Sequence, residues 1–261
     1  MSQQSPHRLD RREFKYLVPN EVARDIAKAI SGVCSLDVFA GSNGDYAIRS
    51  LYFDTDQLGL YWANEREEMS RFKIRVRSYP PYTERVWLEV KARNGDSIYK
   101  TRSSLPAKQW AELVRNPSEG SLGALPVQDR QMLERFAYHV HVHDLKPTVL
   151  VEYNREAYFS RVDDYARVTF DRNVRCQDQT QWTTDATEEH WRVVDHPVQT
   201  HTDRAMCVVE LKFAAMVPRW MNVLIQNFEM IRYSFSKYCY SIDAQKLLPR
   251  SHVAGVEARF Q

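Results

Sequence analysis

The sequence predicts an α+β fold, an eight-stranded antiparallel β-barrel with helices packed around it. Two observations carry this expectation. Arg71-Phe72-Lys73-Ile74-Arg75-Val76-Arg77 alternates cation and apolar residue without a break, so a strand here has one oily face and one face of four positive charges. The alternation returns in Glu89-Val90-Lys91-Ala92-Arg93, Lys100-Thr101-Arg102, Arg167-Val168-Thr169-Phe170-Asp171 and Glu210-Leu211-Lys212, with Glu13-Phe14-Lys15 near the start. A solvated basic edge strand would explain one such segment. The recurrence favours a closed sheet, because closure removes edges and gives the charged faces a lumen to line. Like charges ~4 Å apart repel by roughly 4 kcal/mol at an effective dielectric of ~20, so such a lumen calls for an anion to fill it.

Taken in order, residues 1–10 read as a tail and Arg11 to Val18 as the first strand, ended by Pro19-Asn20. Asn20 is placed to cap a helix to about Ser31, with Val22, Ile26 and Ile30 at helical spacing. Asp45 to Thr55 reads as a strand, and Asp56 as the cap of a short helix through Leu60, Tyr61 and Arg66. The basic strand stops at Pro80-Pro81. Strands Thr83 to Arg93 and Ser97 to Ser103 meet at Asn94-Gly95-Asp96, a strong hairpin signal. Pro106 to Arg115 and Gln128 to Tyr138 have helical periodicity. Strands resume at Pro147 to Phe159 and Tyr165 to Val174. Gln177 to Arg204 is polar with little periodicity and reads as a long surface loop over one mouth of the barrel. Ala205 to Phe213 is the last strand, followed by helices over Pro218 to Ile231 and Ser236 to Leu247. The expected organisation is one domain over 11–250, with tails at 1–10 and 251–261.

Composition narrows the function classes. Lys and Arg number 36 against 34 Asp and Glu in 261 residues, so net charge gives no general affinity for nucleic acid or membranes. The first ten residues lack an apolar signal core and no run reaches the ~18 apolar residues of a membrane span. Four cysteines, Cys34, Cys176, Cys207 and Cys239, stand far apart, which argues against zinc or a disulfide framework and for a reducing cytoplasm. Eight glycines and no Gly-x-x-x-x-Gly-Lys leave phosphate binding to side chains. No Gly-x-Ser-x-Gly elbow or His-Glu-x-x-His helix is present. His139-Val140-His141-Val142-His143 would gather three imidazoles only if extended, and its surroundings read as helix or loop, against a metal site.

If the charged positions share a lumen, it receives Lys15, Lys73, Arg75, Arg77, Lys91, Lys100, Arg102, Arg155, Arg167 and Lys212, with Glu13, Glu89, Asp171 and Glu210 among them. Such a set suits an extended polyanion, since Arg grips phosphate through two bonds and Lys acts as a point charge. A carboxylate among phosphates can hold a divalent ion, and Glu210 is the first choice, with Glu89 the second. Periodicity leaves open which residues of Val151 to Phe159 face inward, because Glu152 and Asn154 suit that face as well as Tyr153 and Arg155.

Arg12-x-x-x-Tyr16, Arg49-Ser50-Leu51-Tyr52-Phe53-Asp54, Lys73-x-Arg75-x-Arg77, Glu89-x-Lys91, Val151-Glu152-Tyr153-Asn154-Arg155, Val209-Glu210-Leu211-Lys212-Phe213 and Ser236-Lys237-Tyr238, in that order, resemble the VTC (vacuolar transporter chaperone) domain. That domain belongs to the triphosphate tunnel metalloenzymes, whose Glu-x-Lys relatives form the CYTH group. The resemblance spans about residues 11–247 and implies an eight-stranded tunnel. It implies a polyphosphate polymerase that moves the terminal phosphoryl group of ATP onto a growing chain with Mn²⁺ or Mg²⁺. It places Lys15, Arg75, Arg77, Lys91, Arg155 and Lys237 on phosphates, with Lys100 and Arg167 beside them, Tyr153 positioning a phosphate and Glu210 on the metal. It also decides for Tyr153 and Arg155 as the inward pair. The set expected at the chemistry is Lys91, Arg75, Arg77, Arg155 and Tyr153; Lys15, Lys73, Lys100, Arg102, Arg167, Lys212 and Lys237 bind phosphate. Triphosphate hydrolysis and non-catalytic polyphosphate or nucleotide binding are the alternatives. The expected partners are ATP and polyphosphate, without nucleic acid, and a membrane-protein partner stays open.

Overall fold

The computed structural model describes residues 11–245 except 96, 119–121, 124 and 215; both expected tails lie outside them. The elements are β1 (Arg11–Pro19), α1 (Asn20–Ile30), β2 (Cys34–Leu36), β3 (Tyr46–Asp54), α2 (Gly59–Glu65), β4 (Ser70–Tyr79), β5 (Tyr82–Asn94), β6 (Ser97–Pro106), α3 (Trp110–Arg115) and α4 (Val127–Val142). They continue with β7 (Lys146–Ser160), β8 (Ala166–Asp178), a 3-10 turn (Glu188–His190), β9 (Arg192–Val193), α5 (Pro197–Thr200), β10 (Met206–Ala214), α6 (Arg219–Asn227) and α7 (Lys237–Gln245). The fold is α+β and rich in antiparallel sheet. The strand order is β1-β10-β8-β7-β3-β4-β5-β6, with β2 on β7 and β9 on β8. This path has two ends, β1 and β6, so the sheet is not the closed barrel expected. Alternation fixes which face of a strand is charged; it carries nothing about whether the end strands hydrogen-bond to each other.

The chain divides into two compact units. The first takes the described parts of Met1–Tyr46, Asn154–Asn173 and Asp195–Phe235. Its core joins Val168, Phe170, Val209, Leu211 and Phe213 of β8 and β10 to Ala23, Ile26 and Ile30 of α1 and to Met221 and Leu224 of α6. Those α1 positions recur at helical spacing, so one stripe is buried. The residue before the helix is Pro19, and α1 begins at Asn20 with no side-chain cap, so Asn20 is not the cap expected. β1 and β10 pair with Lys15 opposite Glu210 and Glu13 opposite Lys212.

The second unit takes the described parts of Ala47–Tyr153, Val174–Val194 and Ser236–Gln261. The apolar alternates of β4, β5 and β6, Ile74, Val76, Leu88, Val90 and Leu105, pack with Trp110, Leu133, Phe136 and Val140 of α3 and α4. The β5–β6 hairpin turns where expected, with Gly95 at φ +57°, the left-handed region that glycine enters without strain. The helix-starting role expected of Asp56 belongs to Asp54, whose carboxylate accepts the N–H groups of Thr55, Leu60 and Tyr61. Asp56 pairs with Lys146 instead.

The segment from Gln177 is not the long surface loop expected. β8 runs on to Asp178 and β9 pairs back onto Arg175 and Cys176. Trp182 packs edge-on to Phe53 at 5.1 Å. Arg49 and Arg175 both bond the Glu152 carboxylate, at 2.7 Å and 2.5 Å, while Arg49 also donates to the Thr184 carbonyl. Trp182 and Trp191 pack on the core of the second unit, and Arg49, bonded to Glu152, reaches the Thr184 carbonyl; none of these contacts has a periodicity. Of the three histidines, His139 and His141 lie on helix α4 and His143 caps its C-terminal end. His139 and His143 stack, and His141 meets the Val114 carbonyl. Among the described residues no helix is long and apolar enough to cross a membrane.

Candidate phosphate-binding site

The predicted site residues form one charged cluster in each unit. In the second unit the registers of β4, β5 and β6 set cations in cross-strand rows: Lys73 opposite Lys91 opposite Lys100, and Arg75 opposite Glu89 opposite Arg102. Residues directly opposite in an antiparallel pair stand ~4.5–5.5 Å apart at Cβ, so the three lysines crowd one another. Glu89 is the counter-charge. It is 2 % exposed and receives Arg75 through Nε at 2.8 Å and Nη2 at 2.6 Å. Arg102 and Lys100 stand 3.3 Å and 3.4 Å from its other oxygen, and Arg77 lies 3.9 Å from the oxygen that Arg75 bonds. Burial works to raise the Glu89 pKa, but Arg75, Arg77 and Lys100 outweigh it and hold the carboxyl well below the usual range.

Arg75 is gripped from the other side by Tyr52, whose phenol oxygen accepts from Nη1 at 2.8 Å. Burial would raise that phenol's pKa, but Arg75 above all, with Arg77 and Lys73, brings it below its ordinary value. The Arg77 Nε is buried and without a hydrogen-bond partner. An unsatisfied buried donor of this kind costs about 1–3 kcal/mol, and an anion beside it would recover that. Lys100 is pushed down to about 8 by loss of hydration and, against the pull of Glu89, by Arg75, Arg77 and Arg102.

The start of α7 belongs to the same unit. Ser236 Oγ accepts from Lys73 Nζ at 2.8 Å and from the Cys239 N–H at 3.3 Å, so one hydroxyl caps the helix and holds a lysine. Lys237 is buried, its ammonium 4.6 Å from the Tyr153 ring. Tyr238 stacks on Tyr52 at 5.1 Å and donates to Asp54.

In the first unit, Arg155 of β7 grips Asp171 through two bonds of 2.6 Å and 2.7 Å and lies 3.5 Å from Glu210. Lys212 donates to Glu210 at 2.5 Å and stands 3.8 Å from Glu13, while Lys15 lies 3.5 Å from Glu13 and 3.7 Å from Glu210. Two carboxylates and two ammonium groups thus interlock across two strands. Burial foremost brings the Lys212 pKa down, against Glu210 and Glu13. Arg167, opposite Lys212 on β8, lies over the Phe159 ring with a buried Nε lacking a hydrogen-bond partner.

Lys73, Arg75, Arg77, Lys91, Lys100, Arg102, Tyr153 and Lys237 therefore belong to the second unit, with Glu89. Lys15, Arg155, Arg167 and Lys212 belong to the first, with Glu210. Tyr52 and Ser236 are site residues that the sequence alone does not mark, although both stand in the motifs quoted above. The signal for Tyr52 is its parity: with Asp54 it alternates along β3, and Tyr52 pairs with Arg75.

Among solved structures, the chain is similar to a candidate adenylate cyclase of Bacillus halodurans, with TM-score 0.46 and 14 % identity over 87 % of this chain and 96 % of that one. It is similar also to a candidate adenylyl cyclase of Hippeastrum described as having a dominant triphosphatase activity, with TM-score 0.48 and 13 % identity over 89 % and 95 %. A Pyrococcus horikoshii protein matches with TM-score 0.41 and 9 % identity over 87 % and 96 %. The family model of the VTC domain matches residues 10–246. A match over nearly the whole chain, on residues that include both charged clusters, makes this protein a member of the VTC domain family.

Proposed function

We propose that this chain is a metal-dependent polyphosphate polymerase, transferring the terminal phosphoryl group of ATP to the end of a growing polyphosphate. The observation that supports this most is the pair of cross-strand rows of β4, β5 and β6, five cations with a single buried carboxylate among them, in a VTC-family chain. Phosphoryl transfer asks the protein mainly for alignment and charge neutralisation. Arg75, Arg77 and Lys91 are read as holding the reacting phosphates, with Lys73, Lys100, Arg102 and Lys237 gripping the rest and Tyr153 beneath Lys237. In the first unit Arg155, Lys15, Lys212 and Arg167 are read as phosphate ligands too. Glu89, although a candidate metal ligand by sequence, is taken here as the counter-ion that keeps Arg75 in place.

Manganese or magnesium is read as held by Glu210 together with Glu13, the two carboxylates that Lys15 and Lys212 bridge. No group of three or more acidic, His or Cys side chains suited to a metal occurs among the described residues, and a two-carboxylate donor set suits an ion that completes its shell with water and substrate phosphates. Bound there, it would supply charge neutralisation at phosphate oxygens. The side chains do the rest: they orient the chain end and raise its effective concentration above that of competing water.

The test is incubation of the protein with ATP and Mn²⁺, with gel staining for polymer beside an orthophosphate assay. Polymer should exceed orthophosphate. Glu210→Gln should remove most turnover while binding tripolyphosphate as well as the parent does. Stoichiometric orthophosphate without polymer, even with a short primer, would make the protein a triphosphatase; binding without turnover would make it a binding module.

A further inference from the structure

The charged face of the second unit ends in aromatic residues. Trp87 is two residues from Glu89 on β5 and opposite Arg77, so it shares the face that carries the cations. A half-buried indole on such a face is out of place as packing, since the apolar alternates of the same strand, Val86 and Leu88, are the ones in the core. Trp87 meets Tyr79 edge to face at 4.8 Å. The Arg102 guanidinium lies over the indole at 5.2 Å and donates to the Tyr79 hydroxyl at 3.1 Å. The same guanidinium is 3.3 Å from Glu89. One arginine thus joins an aromatic pair to the centre of the phosphate cluster.

Aromatic rings and guanidinium planes beside phosphate-binding cations are the chemistry that holds a nucleobase, because every base has a π-face to stack. Resting on the reading of the cation rows as a phosphate site, we propose that Trp87, with Tyr79 and Arg102, binds the base of the nucleoside triphosphate. Arg77, Arg75 and Lys91 follow it along the phosphates, with Lys73 and Lys100 on either side of Lys91. This gives the substrate a direction on the sheet: base at the Pro80-Pro81 end of the β4–β5 hairpin, transferable phosphate toward the Asn94-Gly95 end of β5. It also separates two ligands that phosphate contacts alone cannot, ATP and inorganic tripolyphosphate.

The experiment measures ATP and tripolyphosphate affinity by calorimetry, without metal, for the parent, Trp87→Ala, Trp87→Phe and Tyr79→Ala. Base stacking is worth about 1–3 kcal/mol, so Trp87→Ala should weaken ATP about 5- to 150-fold and leave tripolyphosphate within about twofold. Trp87→Phe should restore most of the loss, and Tyr79→Ala should show a smaller loss of the same kind. Retained tripolyphosphate binding shows that each variant is folded. Equal losses for both ligands would mean that Trp87 acts only by holding Arg102, and would overturn the base site. So would unchanged ATP affinity. Failure of the parent to bind tripolyphosphate would overturn the phosphate reading itself, and the base site with it.

Discussion

Replacing Glu89 by Gln removes the one buried negative charge that Arg75, Arg77, Lys100 and Arg102 share. Lys100 and Arg102 keep about half of their side-chain surface in water, 52 % and 43 %, so solvent screens their loss. Arg75 and Arg77, 24 % and 9 % exposed, carry the cost. Breaking a buried pair by removing one partner destabilises by about 3–5 kcal/mol. At roughly 2–4 °C per kcal/mol for a chain of this size, the variant should melt about 6–20 °C lower. Bound polyanion supplies the missing counter-charge, so tripolyphosphate should raise the melting temperature more in Glu89→Gln than in the parent. The pH sign follows from the depressed carboxyl pKa. The stabilisation from Glu89 is fully present above its unfolded value of ~4.3 and is lost as pH falls below it toward the folded value, so parent and variant should converge in acid. Thermal melts with and without tripolyphosphate at low salt make the measurement. A variant melting within 2 °C or so of the parent, with no larger ligand shift, would refute the counter-ion argument.

Further outcomes can be checked on the same protein. Lys100 has a folded pKa of about 8, below its unfolded ~10.4, so free protein gains stability as pH rises between the two. Bound phosphate restores the ammonium, so binding should take up a proton and weaken as pH rises from 7 to 9, by up to about tenfold per unit. Lys100→Arg should flatten that slope, read by titration calorimetry in buffers of different ionisation heat. Glu152→Gln leaves Arg49 and Arg175 facing each other without their shared carboxylate and should cost about 3–5 kcal/mol, with faster proteolysis between residues 179 and 194 as its local signature. Polyanion affinity should fall steeply from 50 mM to 1 M salt, since exposed cations such as Lys100 are screened.

The charged face of β4 was legible because nothing else explains strict alternation of cations, and the strand lies where the alternation is. Closure of the sheet was not, since it depends on hydrogen bonds between the first and last strands of the path, which have no residue signature. β7 shows a subtler limit. Glu152 bonds Arg49 and Arg175, and Arg155 bonds Asp171, so both faces of this strand carry satisfied charge and periodicity alone had no oily side to follow. Asp54 and Asp56 were equally good caps by composition. The choice was made by Tyr238, far away in the chain, which donates to Asp54 and helps to bury it. Tyr52 was hidden for a similar reason, because a tyrosine in an apolar strand reads as packing until its Arg75 partner is in place.

The contact between Asp54 and Tyr238 joins residues 184 positions apart, and this has a consequence for how the protein is made. At about 5–20 residues per second on the ribosome, roughly 10–40 s pass between synthesis of the carboxylate and of the phenol that completes its set of hydrogen-bond donors. Through that interval Ser236 has not yet been made to receive Lys73, and Lys237 has not yet come to rest over Tyr153. The nascent chain carries its cation rows long before it can order them. Cellular polyanions meeting it then would find a basic hairpin that still lacks the partners supplied by residues 236–238.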